Sequence, residues 1–260
     1  MAKQKIKVND FSLFLQSLKA LNKLAVSAKL TINSEGMTVY GKNAFARGEM
    51  TSNAVTAEKD PVEFCVLDLA MFIKVLNTAF EVHQEDCSEI EMWFDFPFVK
   101  IESGKFKTKL STCKEEVIQN SVSQKIKTVL TPVFEFVTST KQIKYINSHS
   151  FIASDTDAAR IYISTEPTME NNVVYARIGN DANELNNSIT LKFGMATSGT
   201  LGDRKLILNF DRLSVFNVVE SEEITIQLMD KNVLVNTVNV YDESGEHSFK
   251  FVLYTSLLAN

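Results

Sequence analysis

The chain has 260 residues, 45% of them hydrophobic and 23% charged, with a formal net charge of -5. This is the composition of an ordinary globular protein with material for a sizeable core. No apolar run approaches membrane-spanning length, and Met1-Ala2-Lys3-Gln4-Lys5 lacks the apolar segment of a secretory signal, so an intracellular protein is expected.

The first readable unit opens with a strand over 5–8 and an N-cap at Asn9 or Asp10, whose side chain can accept bonds from first-turn amides. A helix over 11–24 follows, with Phe11, Phe14, Leu15, Leu18 and Leu21 on one face and Ser12, Gln16, Lys19 and Lys23 on the other. Strands are expected over 29–33, 37–41 and 46–52. The same order then returns. A strand over 62–66 leads to the cap Asp68 and a helix through Phe80, with Leu69, Phe72, Ile73, Leu76 and Phe80 at helical spacing. A loop over 81–88 precedes strands over 89–94, 98–102 and 106–112.

Residues 114–128 form the most polar long connection and read as a crossing between domains. A third unit starts with a strand over 133–136, a cap at Ser139 or Thr140 and a helix through Asn147. Its strands are expected near Phe151 and over 160–164 and 173–178, while 180–187 and 197–203 read as loops. The last unit has a strand over 206–210, the cap Asp211, a helix through Val219, and strands over 224–229, 233–241 and 248–254. Length alone fits one domain or two, but four β-α-β-β-β units at roughly 60-residue spacing select two domains of two units each. The expected fold is therefore α+β, with helices on one face of antiparallel sheets. Its boundaries are an N-terminal domain over 1–118, a connector over 119–128 and a C-terminal domain over 129–260.

Signals for catalysis are weak. The nine glycines form no phosphate-binding loop, and no G-x-S-x-G elbow occurs. His83, His149 and His247 stand apart, without a second ligand at helical spacing, and Cys65, Cys87 and Cys113 have no paired metal-ligand spacing, so no metal or other cofactor is expected. Asp155-Thr156-Asp157 could hold magnesium as nuclease carboxylates do, but such a triplet more often makes a tight turn.

Charge placement is more informative. The four expected helices hold Lys19, Lys23, Lys74, Lys141, Lys144 and Arg212 against Asp10, Asp68 and Asp211, a balance of +3 that leaves -8 for the remainder. All three acids sit at helix starts, where capping and the dipole explain them, so the helix bodies read as purely basic. Lysine is a default surface residue on any one helix, but segregation across four in an acidic chain suggests a surface for a polyanion.

With these features in place, the chain resembles the DNA sliding clamps, proliferating cell nuclear antigen and the bacteriophage clamps among them. The likeness spans nearly the whole sequence. It is carried by Phe-x-x-Phe-Leu-x-x-Leu-Lys over 11–19, Leu-Asp-Leu-x-x-Phe-x-Lys-Val-Leu over 67–76 and the ending Phe249-Lys250-Phe251-Val252-Leu253-Tyr254. The resemblance implies a non-enzymatic processivity factor: a homotrimeric ring with helices lining the hole, sliding on double-stranded DNA without sequence preference, tethering a DNA polymerase and placed on DNA by a clamp loader. A phage origin would put it in the cytoplasm of a bacterial host. By that resemblance DNA faces Lys19, Lys23, Lys74, Lys141, Lys144 and Arg212. A partner pocket would use Phe45, Val117, Ile118, Tyr254, Leu257 and Leu258, and strand 105–112 of one copy would add to strand 173–178 of the next. A clamp-like factor acting as monomer or dimer, or a metal-dependent nucleic-acid enzyme using Asp155 and Asp157, are the alternative readings.

Overall fold

The computed structural model describes residues 3–44, 46–87, 89–122, 129–149, 160–167, 172–178, 188–201, 206–209 and 213–257. The chain divides into two compact units, Met1–Ile126 with Asn239–Phe251, and Lys127–Val238 with Val252–Asn260.

In the first unit β1 (Gln4–Val8) leads to α1 (Phe11–Asn22), then β2 (Ala28–Ile32), β3 (Met37–Lys42), β4 (Ala46–Ser52) and the short β5 (Val55–Ala57). Next come β6 (Val62–Val66), α2 (Leu69–Asp86), β7 (Ile90–Asp95), β8 (Phe98–Ser103), β9 (Phe106–Ser111) and the one-turn α3 (Glu115–Ile118). One sheet has the order β5-β1-β7-β8-β9 and is antiparallel throughout. The other runs β4-β3-β2-β6. Burial alternates along β2, β3 and β8, which gives each sheet one buried face.

Asp10 and Asp68 cap α1 and α2, accepting from Leu13 and Met71 amides at 2.8 Å each. Both helices bury one stripe, and Phe11 stacks on Phe80 with ring centroids 5.1 Å apart. Gly48 keeps β4 clear of the chain just after α1, since a Cβ there would lie 2.5 Å from Leu24 Cδ2 and 3.0 Å from the Phe251 ring.

In the second unit β10 (Pro132–Thr138) leads to α4 (Thr140–Ser148), β11 (Arg160–Pro167), β12 (Asn172–Ile178), β13 (Ile189–Gly199) and β14 (Leu206–Asn209). A 3-10 helix (Ser214–Val218) then precedes β15 (Ile224–Met229), β16 (Val233–Tyr241) and β17 (Ser248–Ser256); β16 and β17 contribute residues to both units. The strand order is β14-β11-β12-β13-β10-β15-β16. Phe134, Phe136 and Phe193 form its aromatic centre, each fully or almost fully buried.

Several expectations are corrected. Helix α2 runs past Phe80 to Asp86, replacing most of the loop expected over 81–88. Phe80 and His83 stack on its continuing face, and Cys87 ends it in the left-handed region with its amide on His83 O. The extension brings Glu81, Glu85 and Asp86 into the helix body, so α2 is not purely basic. The fourth expected α-helix is a five-residue 3-10 helix over its described part, and the cap Asp211 lies outside the described residues. Thr197, Ser198 and Gly199 belong to β13 rather than a loop. The strand expected near Phe151 and the loop over 180–187 lie outside the described residues.

Candidate nucleic-acid interface and partner surface

In the first unit Ser12 of α1 and Lys23 at its C-terminal cap are exposed, and Gln16 and Lys19 are half-buried. On α2, Lys74 is exposed, with Thr78 one turn on donating to its carbonyl at 3.2 Å, and Glu81 and Glu85 follow on the outward side. The cationic part of that face is thus its N-terminal half.

In the second unit Ser139 caps α4 by accepting from Gln142 N at 3.2 Å. Thr140, Ile143 and Ile146 are buried, which turns Lys141, Lys144, Tyr145 and Ser148 outward. Lys144 approaches Glu220 at 3.5 Å, with the lysine side chain 42% and the glutamate 86% exposed. Such a pair contributes at most about 1 kcal/mol and leaves the lysine available to a stronger anion. Arg212, Asp155 and Asp157 lie outside the described residues. Tyr145 and His149 share the face of Lys141 and escaped sequence reasoning. The signal was present, since Tyr145 stands four residues after Lys141 and four before His149.

The partner-surface residues separate. On α3, Val117 is 60% exposed whereas Ile118 is 2% exposed, so Ile118 packs into the first unit and offers no docking surface. The start of the connector is held there by Lys29, which binds Glu63 at 2.6 Å and Glu115 at 2.7 Å. The hydrogen bond to Glu115, then that to Glu63, keeps the ammonium charged well above the ordinary lysine range. Lys42 N also donates to Ser121 O at 2.8 Å, extending β3 by a bridge between Gly41 and Val122.

In the second unit Tyr254 and Leu257 are half-buried, and Leu257 N donates to Asn232 O at 3.2 Å. Asp230 N donates to Thr131 O at 2.9 Å, so the start of β10 and the end of β17 lie at the same end of the sheet. Val129 and Val133, 83% and 43% exposed, stand at that end and were missed because they adjoin a polar connector. Phe45 and Leu258 lie outside the described residues.

Two edges bear on assembly. β9 is the terminal strand of its sheet, and a cleft of about 330 Å³ opens beside it, lined by Leu67, Met71, Phe72, Val99 and Leu110 among others. Leu67 and Met71 are each 55% exposed. The expectation that β9 adds to 173–178 is overturned, because β12 is already flanked by β11 and β13. An unpaired edge lies instead on β13. Met195 pairs with Val173 of β12 and with Val137 of β10, which puts those strands on opposite sides of β13. Since β10 pairs only from Met195 onward, with Thr138 Oγ1 donating to Phe193 O and Gly194 packed against Val137, residues 189–192 have one side outside any ladder among the described residues.

No group of three His, Cys, Asp or Glu side chains suited to a metal occurs among the described residues. Cys113 N donates to Cys65 O at 3.0 Å, and burial pushes the Cys65 thiol up to about 11, far from a thiolate nucleophile at neutral pH.

This arrangement, strand-helix-three-strand units in two compact bodies with sheets of antiparallel strands, is the fold of the DNA sliding clamps. Proliferating cell nuclear antigen of A. fulgidus, solved with the C-terminal region of FEN-1 bound, superposes with a TM-score of 0.70 at 12% identity, covering 100% of this chain and 99% of that one. Proliferating cell nuclear antigen of Entamoeba histolytica superposes with a TM-score of 0.69 at 13% identity, over 99% and 98% of the two chains. No protein-family sequence model matches the chain, and no curated protein sequence does.

Proposed function

We propose that the protein is a DNA sliding clamp: a homotrimeric ring that encircles duplex DNA, tethers a polymerase and has no catalytic activity of its own. The observation that carries this reading is the outward placement of Lys19, Lys23, Lys74, Lys141 and Lys144 on helices of an acidic chain with the clamp fold. Lysine contacts with phosphates are independent of sequence and individually weak, so retention comes from a closed ring while the contacts permit sliding. Arg212 joins the proposed DNA-facing set.

Ring closure joins β9 of one copy to the unpaired side of residues 189–192 of the next by strand addition, with the cleft at Leu67 and Met71 taking apolar side chains of the neighbour. The domains are 1–118 and 129–260, joined by the connector 119–128. Partner proteins, a polymerase first, contact Val117 and Phe45 of the first unit and, in the second, Tyr254, Leu257 and Leu258, with Val129 and Val133 added to the second unit's contacts. FEN-1's C-terminal region on the A. fulgidus protein supports a peptide-binding surface in this fold. A clamp loader opens the ring, and the protein works inside the cell, in bacterial cytoplasm if its origin is a phage. Light scattering tests the assembly: three chains of 29.2 kDa give about 88 kDa, and a concentration-independent monomer overturns it.

A further inference from the structure

We propose that the outward face of α4 binds single-stranded DNA, with the Tyr145 ring as the stacking surface for an unpaired base. At 100° per residue, Tyr145 falls on the side opposite Ile143, with Lys141, Ser148 and Lys144 at one flank and His149 at the other. It is 50% exposed, and among the described residues no other aromatic ring is this open on a helix.

The ring is held rather than loose. His149 packs against it edge-on, with centroids 4.6 Å apart and planes at 68°. The imidazole is itself fixed by its Nδ1, 2.7 Å from the Tyr145 carbonyl, and Ser148 Oγ donates to that carbonyl at 2.7 Å. A pre-positioned ring loses little rotamer freedom on binding, which is the condition under which stacking contributes affinity.

The surroundings select the ligand. The residues beside Tyr145 on this face are cationic or polar, and α4 contains no acid. Interface cores between proteins are depleted in lysine and rich in contiguous apolar groups, which does not describe this face. Duplex DNA shows a helix lying along it phosphates and stacked base edges, so an aromatic ring there has no base face to meet. A single strand splays its bases beside its phosphates, and alternating rings and cations suit both groups. Lys141 and Lys144 take the phosphates and Tyr145 takes the base.

This inference rests on the reading that α4 faces DNA, and the experiment separates the two. Anisotropy of a labelled 20-nucleotide polythymidine and of a labelled 20-base-pair duplex is measured with the full chain at low salt. Tyr145→Ala is expected to weaken polythymidine binding about 5- to 150-fold, with duplex binding and the thermal midpoint unchanged. Tyr145→Phe retains binding, and Lys141→Glu with Lys144→Glu weakens both probes. Unchanged polythymidine binding in Tyr145→Ala overturns the proposal, as does an equal loss on duplex. A wild-type protein that binds no polythymidine overturns this proposal alone, because the DNA-facing helix needs only the weak contacts of a closed ring and is tested by retention on circular DNA.

Discussion

Replacing Lys109 by proline tests ring closure at a single backbone amide. The hairpin joining β8 and β9 pairs Ser103 with Phe106, and Thr112 N donates to Pro97 O at 2.8 Å at its other end. Since inward and outward amides alternate along an antiparallel strand, Thr108 and Leu110 face β8 while Lys107, Lys109 and Ser111 turn theirs to the free edge. Proline at 109 therefore spares the β8 ladder, as edge strands tolerate proline whose missing amide faces solvent. The Lys109 ammonium lies 4.9 Å from the centre of the Phe98 ring, and Lys109→Ala, which removes that cation while keeping the amide, serves as the control. In the ring, the proline variant loses one intersubunit bond, about 1 kcal/mol, and orphans a neighbouring carbonyl at about 1–2 kcal/mol more. The sum weakens each interface about 30- to 150-fold relative to Lys109→Ala. Sedimentation velocity over a dilution series reads this as a shift of the dissociation midpoint. Equal midpoints for the two variants would refute strand addition through β9.

Asp68→Ala removes the α2 cap and is expected to cost about 1 kcal/mol, lowering the thermal midpoint by a few degrees; an unchanged midpoint would show that Met71 N finds another acceptor. Glu135 accepts from Thr197 Oγ1 at 2.6 Å and Gln227 Nε2 at 2.7 Å, and these bonds hold its carboxyl below the ordinary range. Its stabilisation is thus present above the ordinary glutamate pKa and is lost as pH falls through the lowered folded value. Glu135→Gln should flatten the acid limb of a stability-pH curve, and an unaltered limb would contradict this. Lys19, Lys23, Lys74, Lys141 and Lys144 changed together to Glu should leave folding intact and abolish polymerase stimulation on primed DNA; undiminished stimulation would mean that these faces do not meet DNA. Val117→Ser with Leu257→Ser should weaken polymerase binding by about 1–3 kcal/mol without changing the oligomer, and dissociation of the ring instead would make them structural.

The sequence disclosed α1 and the start of α2 because aspartate caps and helical spacing coincide there. The end of α2 was hidden: Glu81, Glu85 and Asp86 oppose the dipole at a helix C-terminus, and stacking of Phe80 and His83 outweighs that local signal. The end of β13 was hidden because 197–203, with Gly199, reads as a loop. Gly199 instead lies against β10, where a Cβ would lie 2.2 Å from Val133 O. Ile118 and Val117 looked alike in sequence, and only the single turn of α3 sends one inward and the other out. Strand neighbours were the least legible feature, since whether β12 or β13 has an open edge depends on pairings far apart in the chain.

Topological retention tests the sliding ring most directly. Dissociated subunits are concentrated in the presence of a nicked circular plasmid, and the mixture is filtered at high salt, where lysine-phosphate contacts are screened. A closed ring remains with the circle and is released when the plasmid is cut once. Salt alone stripping the protein from the circle, or the protein staying on the linear form, would contradict it.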